Sequence, residues 1–248
     1  FIFADLIGPD TLVAGTGVDV DAHPHIGLST LSSLFAGRMV HRDSTGAVAT
    51  IEPGAANWMT AGAGVVHTER SHPDDRSIDR AMHGLQTWVA LPHDRENGAA
   101  SFEHTAADRM PDVDGVRIVA GRGWSMESPV EVSSPLVLAE LRPTDGRPIV
   151  IDATHPERGV LAVDGALRLG ATDLRVGQLA VLEAGAIPEL SGNGRAMLLG
   201  GEPVGNRFIW WNFVHSDRDR IEQAKADWTE QRFARVPGDH DPWVPLPA

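Results

Sequence analysis

His23-Pro24-His25 and His67-Thr68-Glu69 are two short motifs in which potential metal donors alternate with other residues. In an extended chain, residues i and i+2 face the same side, so each motif aims two donors at one point. The segment between them is long enough for several short strands that return the second pair beside the first. Three imidazoles and one carboxylate suit Fe, Mn, Ni, Cu or Zn and suit Mg or Ca poorly. A lone His-x-His carries little weight, whereas two matched pairs joined by strand and turn signals point to a metal. The remaining histidines read differently. His41, beside Arg42 and Asp43, reads as a surface residue or a neighbour of the ligands, not a fifth ligand. His83 and Gln86 fall on opposite faces of one strand, so at most one looks inward. His72, His93, His104, His215 and His240 lie in loops or polar stretches without a partner at ligand spacing. Residues 134–205 hold only His155, too few donors for a second site, and Arg117 and Arg122 read as solvated.

The elements that must position these donors are short strands. Apolar or alternating runs at 28–35, 39–43, 48–51 and 82–91 are separated by turn pairs such as Ala36-Gly37, Thr45-Gly46 and Pro53-Gly54. Residues 1–22 read as a short strand, a Gly8-Pro9 turn and a loop that delivers His23. Residues 57–64 read as a tight loop before His67, whose Gly62-Ala63-Gly64 leaves room for a planar ligand. Residues 92–115 are a polar connection, and a second strand series begins near Ser134. It runs through 136–141, 148–153, 159–163, 166–169, 178–182 and 196–199, with Asp164-Gly165 as a two-residue hairpin turn. This pattern predicts an all-β chain of two β-barrel domains, residues 1–133 and 134–248. The tail predicts one apolar strand over 207–214, then a helix N-capped by Ser216, with Asp219 completing a capping-box-like start. Ile221, Ala224 and Trp228 share one helical face for packing on a barrel, the charged face is solvated, and the helix ends near Arg235.

Composition narrows the function. The 248 residues carry a formal net charge of −13, which argues against direct contact with nucleic acid or an anionic membrane surface. No cysteine is present, which excludes disulfides, thiolate metal sites and thiol catalysis. No apolar run reaches the roughly 20 residues a membrane span requires. A cytoplasmic location is the expectation. The first residue is Phe1, not Met, so a natural start preceding it is also expected.

The run His23-Pro24-His25-Ile26-Gly27 resembles the pirins, together with His41-Arg42-Asp43-Ser44, Trp58-Met59-Thr60-Ala61-Gly62 and His67-Thr68-Glu69. So does the tail, in Trp211-Asn212-Phe213-Val214, Ala224-Lys225-Ala226-Asp227-Trp228, Arg232-Phe233 and Val236-Pro237-Gly238-Asp239. The resemblance covers nearly the whole chain. It implies a bicupin: two cupin β-barrels of the double-stranded β-helix, jelly-roll-like type, with a C-terminal helix. One transition-metal ion is implied in the N-terminal barrel on His23, His25, His67 and Glu69. That ion is Fe(II) foremost, with Zn, Ni, Mn or Cu as alternatives, and the second barrel is implied to hold none. Some pirins are described as iron-dependent flavonol (quercetin) 2,3-dioxygenases and others as nuclear transcription co-regulators. The resemblance thus implies a non-haem dioxygenase acting on a small aromatic chelating substrate such as a flavonol, with Glu69 taking the substrate proton. The alternative is a non-enzymatic, redox-sensing regulator whose partner is another protein. Two departures stand out. Many pirins have an acidic residue where this chain has Ser29 and an aromatic where it has Ser33, and Tyr is absent throughout. Both are expected to reshape a pocket without removing the metal.

Overall fold

A computed structural model describes residues 1–247, whose regular structure is mostly strand, with a single α-helix near the C-terminus. They divide into two compact units: Asp108–Pro203 with Phe1, and Ile2–Ala107 with Val204–Ala248. Compactness therefore groups 108–133 with the second strand series and the tail with the first. The sequence reading instead divides the chain at 133/134.

The unit that carries both histidine motifs begins with nine strands. They are β1 (Phe3–Leu12), β2 (Asp19–His25), β3 (Leu28–Ala36), β4 (Met39–Asp43), β5 (Val48–Ile51), β6 (Ala56–Thr60), β7 (Val65–Ser71), β8 (Arg80–Ala90) and β9 (Ser101–Thr105). One sheet has the order β1-β8-β3-β6-β9 and the other β2-β7-β4-β5, all neighbours antiparallel. Neither closes on itself into a continuous hydrogen-bonded barrel. Leu34, Met39, Ile51 and Met82 come from both sheets and pack together between them.

The second unit holds β10 (Asp112–Val113), β11 (Val116–Gly123), β12 (Met126–Glu127), β13 (Leu136–Leu141), β14 (Ile149–Val150), β15 (Glu157–Leu169), β16 (Thr172–Leu174), β17 (Leu179–Leu182) and β18 (Glu189–Gly201) in one curled sheet. Alternate residues such as Ile118, Val137, Val160 and Leu198 fill its core.

The tail then forms the hairpin β19 (Phe208–Trp210) and β20 (Phe213–His215) and the helix α1 (Arg218–Thr229). Ile221, Ala224 and Trp228 are the buried residues of α1, as their spacing predicts. They join Phe213 and Val236 over Ala22, Ile26 and Val66, so the tail backs the sheet that carries β2 and β7.

Several local expectations are corrected. Gly8-Pro9 lies inside β1, where the register slips between Ile7 and Asp10, so the glycine makes a bulge and not a turn. Residues 56–60 are a regular buried strand, because Trp58 and Met59 have paired neighbours on both sides. β11 precedes the expected start of the second series, and β9 lies within the presumed connector. Asp164-Gly165 sits within the long β15, just past a bulge between Ala162 and Asp164, and Gly165, at φ +75°, pairs with Gly194. A Cβ there would lie 2.3 Å from the Asn193 carbonyl oxygen. The 207–214 stretch is a hairpin turned at Trp211, whose φ is +50°. The helix cap is Asp217, which accepts from the Asp219 amide at 2.9 Å, and the helix closes at Thr229.

Candidate metal centre

Register brings the two motifs together. β2 pairs with β7 so that His23 stands directly opposite His67, and β4 pairs with β7 so that His41 faces Glu69 and Asp43 faces His67. Opposite residues in an antiparallel pair share a face, so His23, His25, His67, Glu69, His41 and Asp43 all project from one side of this sheet. A bulge between Val20 and His23 sets the phase of β2.

The three imidazoles of His23, His25 and His67 form one cluster, with ring centroids 4.3 to 5.1 Å apart and donor atoms within 4.8 Å of one another. His25 Nε2 lies 3.1 Å from His67 Nε2. His23 Nδ1 donates to the Asp21 carbonyl at 2.8 Å, which leaves its Nε2 as a lone pair. Burial is the largest influence on all three rings. It pushes His25 and His67 well below the ordinary imidazole pKa and His23 below it, so the cluster is neutral and able to donate lone pairs.

Glu69 completes a different grouping. Its carboxylate comes within 4.8 Å of donor atoms on His67 and His41, not of the full trio. It accepts from Ser32 Oγ at 3.0 Å and from Gln86 Nε2 at 3.0 and 3.3 Å. Ser32 and Gln86 are register partners on β3 and β8, so the facing sheet holds this carboxylate. Trp88 meets His25 edge-on at 5.3 Å, and Phe102 stacks on His41 at 4.4 Å, giving the polar cluster apolar walls.

Of the two readings of His41, the surface one is corrected and the neighbour one agrees with the structure: the residue is buried, its Nδ1 3.4 Å from His67 Nδ1 and its Nε2 3.0 Å from Asp43 Oδ2. Of the pair on β8, Gln86 looks inward, whereas His83 lies against Phe35. Ser32 was missed, although it has the same strand parity as Thr30 and opposite parity to Ser29 and Ser33. Ser29 bonds Thr60 Oγ1 on the other face, so the two departures flank the strand residue that touches Glu69 without touching it themselves. The Gly62-Ala63-Gly64 loop does not open a space. A Cβ on Gly62 would lie 2.1 Å from the Gly98 carbonyl oxygen and one on Gly64 2.8 Å from the Phe233 ring, so the chain itself fills the room. The turn bearing Gly98 is held by the buried Glu96, which pairs with Arg207 at 3.3 Å and accepts from the Ser216 amide at 3.0 Å.

Behind the cluster, the alternate residues of β7 face the tail. Asp239 accepts from Thr68 Oγ1 at 2.9 Å and from Arg70 Nη2 at 2.9 Å, and Arg70 also holds Asp21 at 2.8 Å. The other histidines are engaged elsewhere. His155 bonds the Arg122 carbonyl, His104 bonds Asn57, and His93 and His215 lie beside Glu96. No helix of the described residues is long and apolar enough to cross a membrane.

Residues 1–89 match the family model described as Pirin, and residues 138–234 match the Pirin C-terminal cupin domain. A pirin-like protein of Caulobacter vibrioides is 41% identical over all of this chain and 88% of its own length. A Pseudomonas aeruginosa protein with a provisional quercetin 2,3-dioxygenase name is 36% identical over 99% of this chain and 79% of its own. The crystal structure of quercetin 2,3-dioxygenase from Acinetobacter baumannii superposes with a TM-score of 0.89 at 34% identity. It covers 99% of this chain and 84% of that one.

Proposed function

Given that the chain belongs to the pirin family, we propose that it is a non-haem Fe(II) dioxygenase of the quercetin 2,3-dioxygenase type, its ion held by His23, His25, His67 and Glu69. The observation that carries this reading is the trio of neutral imidazoles, half-buried His23 with buried His25 and His67, and a carboxylate two residues beyond His67 on β7. Three nitrogens and one oxygen fit iron, and also nickel, zinc, manganese or copper, far better than a hard divalent ion. Iron, when bound, supplies redox chemistry with dioxygen at coordination positions that four protein ligands leave open. The quercetin 2,3-dioxygenase names of two relatives support a flavonol-like substrate with adjacent hydroxyl and carbonyl groups.

The chain's own residues divide the work. His23 is oriented by the Asp21 carbonyl, and its lone pair faces the cluster. Glu69 takes the substrate hydroxyl proton at a carboxylate oxygen, with Ser32 and Gln86 fixing the plane of that carboxylate. Trp88 and Phe102 present aromatic surface that excludes water beside His25 and His41.

Purified protein reconstituted with Fe(II) should hold one ion per chain and consume oxygen with quercetin, and Glu69→Ala should abolish uptake. Oxygen uptake no greater than that control, across flavonols, catechols and enediols, would overturn the enzymatic reading. Full metal content in a His23→Ala/His67→Ala variant would overturn the ligand assignment.

A further inference from the structure

We infer that Asp43 and His41 form a hydrogen-bond relay that fixes the tautomer of His67, making both positioning residues for the metal. This rests on the metal reading above. The relay starts at the β4–β5 turn. Asp43 Oδ1 accepts from the Thr45 amide at 2.8 Å, Thr45 Oγ1 at 2.5 Å and the Ala47 amide at 3.2 Å. Every one of these partners is a donor, so Asp43 is a carboxylate. Burial alone would raise its pKa, but the His41 and Thr45 hydrogen bonds overcome this and hold it below the usual value. Its other oxygen, Oδ2, faces His41 Nε2 at 3.0 Å, and both side chains are at most 3% exposed.

One proton position follows from another. A carboxylate only accepts, so His41 presents a hydrogen to Asp43 from Nε2, and the relay leaves its Nδ1 lone pair as the acceptor. That lone pair faces His67 Nδ1 at 3.4 Å. Two facing nitrogens need one hydrogen between them, so His67 carries its own on Nδ1. Its Nε2 is then free of hydrogen, and this is the atom 3.1 Å from His25 Nε2, inside the imidazole cluster. The Phe102 ring, stacked on His41 with an interplanar angle of 16°, keeps the His41 plane from turning out of line. Asp43 is also the register partner of His67, so the backbone ladder that pairs the strands aligns the relay. A metal ligand whose outer nitrogen is anchored in this way binds more tightly than an unanchored one, by about 10- to 100-fold.

The same geometry has a rival use, since His41, His67 and Glu69 themselves lie within 4.8 Å and could form a second donor set. Titration with Co(II) against a chromophoric chelator separates the two. The full chain should bind one Co(II). Asp43→Asn and His41→Leu should each weaken binding by about 10- to 100-fold and alter the visible d–d spectrum. His41→Gln, whose amide oxygen still accepts from His67, should restore both within a few-fold. Wild-type affinity and spectrum in Asp43→Asn and His41→Leu would overturn the relay. So would a second Co(II) lost only in His41→Leu, because His41 would then be a ligand. No Co(II) bound by the wild type would remove the metal reading instead. A direct measurement needs no variant. Long-range ¹⁵N–¹H correlation spectra of the metal-free protein should show His67 as the Nδ1–H tautomer and His41 as Nε2–H. The opposite pair of tautomers would refute the relay whatever the metal does.

Discussion

Asp239 is the perturbation that best tests how the tail supports the ligand-bearing sheet. Its carboxylate takes hydrogen bonds from Thr68 and Arg70 on the back of β7, and Arg42 lies 3.9 Å away. Arg70 and Asp239 are each 19% exposed, so solvent screens the pair only in part. At about 4 Å and an effective dielectric near 20, such a pair attracts by about 4 kcal/mol before other terms. Desolvation and side-chain ordering oppose most of that. Arg70 also keeps its bond to Asp21 when Asp239 is changed, so it is never left unpaired. The net coupling between Arg70 and Asp239 should therefore be about 1–2 kcal/mol, or roughly 5- to 30-fold in an unfolding equilibrium. The assay is a double-mutant cycle of Arg70→Met and Asp239→Asn in urea, followed by the fluorescence of the tail tryptophans Trp228 and Trp243. A coupling below about 0.3 kcal/mol would refute the reasoning, because the close approach of Arg70 and Asp239 would then carry no net interaction.

Three further outcomes follow from the same structure. Burial would raise the Asp239 carboxyl, but the hydrogen bonds from Arg70 and Thr68 hold it below 3.8. Its stabilising effect is therefore fully present above about pH 5 and is lost progressively as pH falls through the unfolded and then the lowered native value. The stability gap between wild type and Asp239→Asn should shrink across that range, and a constant gap would contradict the sign. Gly27, two residues past His25, has φ +67°, and a Cβ there would lie 1.8 Å from the Val214 carbonyl oxygen. Gly27→Ala should destabilise by at least about 2 kcal/mol and weaken metal binding, checked by urea midpoint and chelator competition; an unchanged midpoint would show that the loop relaxes freely. Trp228 is fully buried, meets Phe233 and Trp243 edge-on and donates to the Val244 carbonyl at 2.9 Å. Trp228→Ala should cost about 3–5 kcal/mol and speed amide exchange in the tail, and exchange no faster than wild type would oppose its role as the anchor.

The parts legible in the sequence were those governed by local alternation. His-x-His and His-x-Glu fixed which residues share a face, and 28–35, 39–43 and 48–51 became strands close to those bounds. Helix α1 buries the three residues its spacing selects. The rest depended on partners far away in the chain. A glycine with positive φ looks the same in sequence whether it closes a hairpin or lies inside a strand, so Asp164-Gly165 reads as a turn although it pairs along β18. Gly62 and Gly64 signalled small size, but only the positions of Gly98 and Phe233 reveal what occupies the room. His41 has polar neighbours in sequence and an aromatic one, Phe102, in space. Parity did contain a usable signal, since His41 and Asp43 alternate like the ligand pairs do, and so do Thr30 and Ser32.

The tether between β7 and the tail also orders events in time. Thr68 and Asp239 are 171 residues apart, and residues 108–203 between them form a unit with its own core. A ribosome adding about 5–20 residues per second needs roughly ten to thirty seconds to travel from one to the other. During that interval β2, β7 and β4 can pair with one another, but Ala22, Ile26 and Val66 lack the tail residues that cover them. The intervening unit can close while the ligand-bearing sheet waits with an apolar back exposed. Chaperone contact and aggregation in the nascent chain are therefore expected to fall on that surface, and the half that carries the imidazole cluster is completed last although its histidines are made first.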